Sequence, residues 1–180
     1  MTARSRPAVF LDRDGVLIEA MVRGRKPYAA VLPEQVKILS GVAEACTLLR
    51  DAGFILVMTT NQPDVARGKI SRQFVEETNA DLARGLGLDD VEVCLHDNAD
   101  DCDCRKPKPG LMTQAAVKLG IDLTSSFVVG DRWRDVEAGR NAGCKTVLLD
   151  YGYDEALKGQ PDHVTNSLLS AAGWIKAQKR

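Results

Sequence analysis

Two groups of side chains in this sequence are of types that hold metal ions, and they differ in kind. In "VFLDRDGVLIE", Asp12 and Asp14 follow an apolar run two residues apart, so they fall roughly on one side of an extended chain, and Gly15 permits a sharp turn behind them. In "FVVGDRWRD", Asp131 follows a second apolar run and Asp135 comes one helical turn later. If the two runs are neighbouring strands, three carboxylates, Asp12, Asp14 and Asp131, meet within a few ångströms. Each pair then repels by about 4 kcal/mol at a separation of about 4 Å and an effective dielectric of about 20. Such a cluster requires a cation, and hard oxygen donors with room for water and a substrate phosphate suit Mg²⁺. A calcium loop of the EF-hand type would need a third acid before the glycine and a glutamate at its twelfth position, and the sequence has neither.

The second group is soft. "CLHDNADDCDCRKPKPG" sets Cys94, His96, Cys102 and Cys104 within eleven positions and runs directly into Arg105 and Lys106. Three thiolates and an imidazole make the donor set of a closed tetrahedral Zn²⁺ site, which leaves no open position for water and so reads as structural. The intervening "DNADD" is too short and polar to form a core of its own. Zinc would therefore tie down a loop whose next two residues are cationic, and a fixed cation stabilises developing negative charge better than a mobile one. A disulfide between Cys102 and Cys104 is disfavoured by the geometry of an extended i, i+2 pair. Cys46 and Cys144, in apolar surroundings, read as inert buried thiols. His163, in "PDHV", has no partner in reach by sequence and reads as structural or exposed.

These groups have to be carried on something. The 180 residues suffice for one domain over 1–180, with 44% hydrophobic and 27% charged residues and a net charge of -1. That balance offers no basic surface for nucleic acid. No window approaches the roughly 20 apolar residues of a membrane span, and the N-terminus lacks the apolar core of a signal peptide, so a cytoplasmic, monomeric protein with no membrane partner is expected. Apolar runs alternate with amphipathic ones, as in a parallel sheet covered by helices on both faces. Strands are expected at Ala8–Asp12, Phe54–Thr59, Val91–Leu95, Phe127–Gly130 and Thr146–Leu149. Helices are expected over Gly41–Gly53, from an N-cap at Ser71 through "RQFVEETNADLARGLG", in "PGLMTQAAVKLG", over Trp133–Ala142, and from Asn166 to about Lys176. The stretch from Glu19 to Pro33, with Arg23, Arg25 and Lys26, is long and irregular for a compact domain and is a candidate functional loop. In such sheets ligands bind at the carboxyl ends of the strands, and four of the expected strands deliver polar or charged residues there.

Taken in order, "DRDGV", "TTNQ", "CDCRKPKPG" and "VGDRWRD" resemble the four motifs of the haloacid dehalogenase superfamily of phosphatases, most closely the branch of heptose bisphosphate and histidinol phosphate phosphatases. The resemblance spans Val9 to about Leu149. It implies an α/β Rossmann-like three-layer fold with a central parallel sheet, a small zinc-binding loop and no large cap. It also implies a Mg²⁺-dependent phosphomonoester hydrolase working through an aspartyl-phosphate, with Asp12 as nucleophile, Asp14 as acid and base, and Thr60 and Lys106 on the phosphoryl group. Mg²⁺ would be held by Asp12, the Asp14 carbonyl and Asp131, and Asn61, Gln62, Arg105 and Arg132 would contact substrate. Asp135 fits either a metal ligand or a group that orients Lys106. The implied substrate is a small phosphorylated sugar, the 7-phosphate of a heptose 1,7-bisphosphate first, with histidinol phosphate or another sugar phosphate as alternatives. The basic residues of the 19–33 loop, Arg105 and Arg132 favour a substrate with further negative charge. The chain departs from the branch at Pro63-Asp64, where Ser-Gly is usual. A catalytically silent zinc-stabilised binding module would lack the nucleophile or the lysine, and both are present.

Overall fold

The structure, a computed structural model, describes residues 5–179; the ends of the domain expected over 1–180, residues 1–4 and 180, lie outside the described residues. Strand β1 (Ala8–Leu11) is followed by a small hairpin, β2 (Met21–Arg23) and β3 (Lys26–Tyr28), and then by α1 (Val42–Asp51), β4 (Ile55–Asn61), α2 (Arg72–Leu86) and β5 (Asp90–Cys94). The second half runs α3 (Gly110–Leu119), β6 (Phe127–Gly130), α4 (Trp133–Ala142), β7 (Lys145–Leu149), β8 (His163–Thr165) and α5 (Leu168–Gln178). The six strands outside the hairpin form one parallel sheet in the order β5-β4-β1-β6-β7-β8.

Both faces of that sheet are covered, which is why its strands read as continuous apolar runs. In β1, Val9 and Leu11 face one layer, joining Leu56, Met58 and Val129 against Leu49 of α1 and Ile175 of α5. Ala8 and Phe10 face the other layer, with Val57 and Val128 against Leu111 of α3 and Ala138 of α4. Truncating a fully buried member such as Leu11 to alanine would cost about 2–5 kcal/mol. The helix ends follow the expected signals: the Ser71 hydroxyl accepts from the Phe74 N–H at 3.0 Å, and α2 stops at Gly87 in a left-handed conformation. Cys46 and Cys144 are buried thiols, pushed up to about 11 and about 12 by burial.

Two elements go beyond the sequence reading. The 19–33 stretch holds the β2–β3 hairpin, whose turn residues Gly24 and Arg25 both have positive φ, 55° and 61°. That is the twist a tight hairpin needs, but arginine is an unusual residue to supply it. Here it is braced by its own contacts, Arg25 Nη2 donating to the Gly152 carbonyl at 3.1 Å and the Asp154 N–H to the Arg25 carbonyl at 2.9 Å. The other is β8, three residues at the sheet edge, where half-buried His163 stacks on Trp174 at 4.7 Å. Among the described residues no helix is long and apolar enough to cross a membrane.

Candidate active site

Strand β1 is flanked by β4 and β6, so the chain segments leaving these three neighbours are brought to one rim by register alone. Leu11 pairs with both Met58 and Val129, and the Asp12 N–H continues the ladder to the Val129 carbonyl at 3.0 Å. Asp12, Thr60 and Asp131 thereby open onto one cavity of about 250 Å³, which Asp14, Asn61, Lys106 and Asp135 also line. Two glycines make the approach feasible. A Cβ on Gly15, at φ +84°, would lie 2.0 Å from an Asp131 carboxylate oxygen, and one on Gly130 would lie 2.0 Å from the Asp135 Cβ.

The lysine is the organising charge. Lys106 is 3% exposed, and its ammonium donates to Asp12 Oδ1 at 2.9 Å, to Asp135 Oδ1 at 2.5 Å and to the Thr59 carbonyl at 2.9 Å. Burial opposes its charge, but Asp12 and Asp135 outweigh burial and hold its pKa above the ordinary lysine value. Asp12 is pushed up to about 7, chiefly by burial, with Lys106 opposing and Asp135 and Asp14 adding to the rise. Asp131 is raised well above the carboxylate range by burial first and then by Asp12 and Asp135.

The carboxylates that converge are Asp12, Asp131 and Asp135, with one oxygen of each within 4.8 Å of the others. Asp14 does not join them by its side chain and is not simply crowded by Asp12. One of its oxygens accepts from the Ala30 N–H at 2.9 Å and Arg13 Nη2 at 3.4 Å, the other from Arg13 Nε and Gln62 Nε2, each at 2.9 Å. Its main-chain carbonyl accepts no hydrogen bond among the described residues. Both Asp131 oxygens are buried without a partner. A buried, unpartnered carboxylate beside two others is costly unless a cation occupies the site, and an all-oxygen donor set fits Mg²⁺.

The soft group also comes together. Cys94 Sγ lies 3.6 Å from His96 Nδ1 and 3.6 Å from Cys102 Sγ, while Cys104 Sγ lies 3.3 Å from His96 Nδ1 and 3.5 Å from Cys102 Sγ. Metal–ligand bonds of about 2.3 Å to sulfur and 2.0–2.1 Å to nitrogen give tetrahedral edges of about 3.5–3.8 Å, so the four donors fit Zn²⁺. The loop packs tightly beneath, since a Cβ on Gly110 at the start of α3 would sit 2.2 Å from the Asp103 carbonyl.

The remaining expected contacts sort unevenly. Thr60 lines the cavity, and its Oγ1 accepts from Gln62 Nε2 at 2.9 Å. Gln62 is fully buried and bridges Thr60 to Asp14 instead of lining the cavity. Asn61 reaches the cavity, but its amide is bound to the Lys106 backbone. Arg105 lines the cavity and is held by Asn98 Oδ1 at 2.8 Å and the His96 carbonyl at 3.2 Å. Arg132 lines it too, paired with Glu155. Of the three basic residues in the 19–33 stretch only Lys26 faces the cavity; Arg25 braces the hairpin and Arg23 lies over the Tyr28 ring. That corrects the expected shared role, because the turn residues Gly24 and Arg25 do not line the cavity and Arg25 is engaged by Gly152 and Asp154. Arg67 and Arg134 line the cavity without having been singled out. Arg134, two residues past Arg132 in the first turn of α4, is the more legible of the two.

Residues 103–171 match the family model described as HAD-hydrolase-like. A D-glycero-beta-D-manno-heptose-1,7-bisphosphate 7-phosphatase of Pasteurella multocida (strain Pm70) is 39% identical over 186 residues, covering 96% of this chain and 98% of that protein. A D-glycero-D-manno-heptose-1,7-bisphosphate 7-phosphatase of Thermosynechococcus vestitus is 35% identical, covering 94% and 95%. The crystal structure of the D,D-heptose 1,7-bisphosphate phosphatase of B. bronchiseptica, complexed with magnesium and phosphate, superposes with a TM-score of 0.81 at 27% identity, covering 96% of this chain and 99% of that one.

Proposed function

The chain belongs to the haloacid dehalogenase-like phosphatases, and from that premise we propose that it removes the 7-phosphate of D-glycero-D-manno-heptose 1,7-bisphosphate through an aspartyl-phosphate on Asp12. The observation that carries this reading is the meeting of Asp12, Asp131 and the buried Lys106 ammonium at one cavity. The relatives' names supply the substrate. The cations lining the cavity, Lys26, Arg105, Arg132 and Arg134, support it, because an ester with a second phosphate gains more from them than a monophosphate does.

An oxygen of Asp12 bonds to phosphorus as the ester P–O bond breaks, and the departing alkoxide takes a proton from Asp14. Asp14 then removes a proton from a water whose oxygen attacks phosphorus, the bond to Asp12 breaks, and inorganic phosphate leaves. For either transfer the Asp14 carboxyl turns from Arg13, Gln62 and Ala30 toward the cavity that it lines. Lys106 offsets charge on the transferring group, and the Thr60 hydroxyl, accepting from Gln62, has its proton free to donate to a phosphoryl oxygen. Asp12, Asp131 and the Asp14 carbonyl would hold Mg²⁺, which supplies further neutralisation of phosphoryl charge when bound. Cys94, His96, Cys102 and Cys104 would hold Zn²⁺ as a structural tie. Every group in this scheme comes from one chain, so a monomer suffices for turnover.

The test is a comparison of kcat/KM across both anomers of heptose 1,7-bisphosphate, histidinol phosphate and sugar monophosphates, with Asp12→Asn as control. We expect the bisphosphate to lead by at least about tenfold and the variant to be silent. A preference for histidinol phosphate would overturn the substrate, and turnover by the folded variant would overturn the nucleophile.

A further inference from the structure

Lys106 sits at the end of an excursion that leaves the sheet at Cys94, passes through all four soft donors and has to return with its ammonium over Asp12. The ladder between β4 and β5 ends on the rung Asn61↔Cys94, and the next N–H, of Gln62, donates to the Cys94 carbonyl at 2.7 Å. The excursion therefore starts from the strand position beside Asn61. It also comes back to it, because the Lys106 N–H donates to Asn61 Oδ1 at 3.1 Å and Asn61 Nδ2 donates to the Lys106 carbonyl at 3.0 Å.

The side-chain amide thus exchanges two hydrogen bonds with one residue's backbone, as a facing strand would. Among the described residues neither the N–H nor the carbonyl of Lys106 has another partner. We infer that Asn61 is a positioning residue for Lys106, a peptide-mimicking clamp that sets the backbone from which the ammonium reaches Asp12 and Asp135. This rests on the reading of Lys106 as the cation of the phosphoryl site, and it gives Asn61 a role other than the substrate contact suggested by its place in "TTNQ".

The physical consequence is specific. Without the amide, the N–H and the carbonyl of Lys106 lose the partners they have among the described residues. The stem of Lys106 then starts from a less determined point, and the 2.9 Å and 2.5 Å contacts of its ammonium are held from one end only. A misplacement of about 1 Å in such a group costs up to about 100-fold in rate. The clamp also acts independently of zinc, since it fastens the return of the loop and not its middle.

Asn61→Ala is expected to lower kcat by about 10- to 100-fold with KM unchanged within about twofold. The factor should be the same for p-nitrophenyl phosphate and for heptose bisphosphate, because the ammonium acts on the phosphoryl group and not on the leaving group. Amide hydrogen exchange in a peptide spanning Lys106 should accelerate while zinc content stays at the wild-type level. Asn61→Asp, which keeps the acceptor for the Lys106 N–H and loses the donor, should fall between the two, and it carries the test if the alanine variant does not fold. A raised KM with kcat retained, or a loss confined to one ester, would make Asn61 a substrate contact and overturn the clamp; so would unchanged exchange at Lys106. Lys106→Met separates the two readings. Turnover by that variant would refute the role of Lys106 itself, whereas an inactive Lys106→Met beside a fully active Asn61→Ala would refute the clamp alone.

Discussion

Asp12 lies more than a hundred residues before Asp131 and Asp135 and meets them because β1 pairs with β6, while Cys94, His96, Cys102 and Cys104 lie within eleven positions and meet because one loop folds back on itself. The first cluster sits at the rim where β1 and β6 end, with Asp131 and Asp135 4% and 2% exposed. The second stands on a mostly exposed loop whose own side chains supply little apolar burial. The acidic cluster is consequently a place where the fold tolerates repulsion, and the soft cluster is a place where the fold needs help. On the proposed reading, chemistry belongs to the preorganised acidic site and stability to the loop tie.

Substitution of one residue in each cluster should separate those two properties most sharply. Asp131→Asn removes a buried carboxylate without a partner, so activity should fall by at least about 1,000-fold. In chelator its melting temperature should match or exceed that of the unsubstituted chain, because the repulsion is gone. Cys102→Ser should do the reverse in kind: zinc content falls below half an equivalent, the melting temperature drops, and kcat falls by a milder factor of about 10–100. Metal analysis, thermal melts and steady-state kinetics on the two variants decide it. An Asp131→Asn protein that melts well below the wild type in chelator would remove the distinction.

The same contrast explains what could be read in advance. The soft cluster was legible from spacing, because all its donors are local. The acidic cluster was legible only through the order of apolar runs, since nothing local says that the segment after β6 ends beside Asp12. Asp14 shows the limit of that reading: two residues from Asp12 places it near the site, but Arg13, wholly buried and donating to both Asp14 and Asn79 Oδ1, is a tertiary choice without a sequence signal. The hairpin was missed for a related reason, its turn resting on an arginine at positive φ that only contacts with Gly152 and Asp154 support. Strand β4 was read two residues short because Thr60 and Asn61 are polar, though both pair with β5 in register.

A smaller effect follows from the charge state of the acidic cluster. Asp12 has a folded pKa of about 7 against an ordinary 3.8, so in metal-free protein the folded chain holds a proton that the unfolded chain has released. Protons bound by the native state exceed those bound by the unfolded state between those values, so this group's contribution to stability is lost as pH rises from about 4 to about 7. Mg²⁺ competes with that proton. The rise in melting temperature on adding Mg²⁺ should therefore be several degrees larger at pH 8 than at pH 5.5, and an equal rise at both values would show that Asp12 is ionised throughout. Zinc removal should show no such parallel at the carboxylates.

The smallest expected effect tests how much of the loop's order comes from its metal donors. Arg67, on the segment after β4, donates to both oxygens of Asp97, at 2.7 Å and 2.6 Å, and so fastens the loop beside His96 from outside. Both side chains are solvent-accessible, which leaves the pair screened by salt and weak, however good its geometry. Arg67→Ala should therefore shift the melting temperature of the zinc-loaded protein by less than about 2 °C, and the shift should vanish at about 0.5 M salt. In zinc-free protein the same substitution should matter more, because the clasp and the Asn61 clamp are then what remains to hold the loop. If Arg67→Ala costs as much with zinc as without it, the four donors are not the tie, and the division of labour between the two clusters fails at its weaker half.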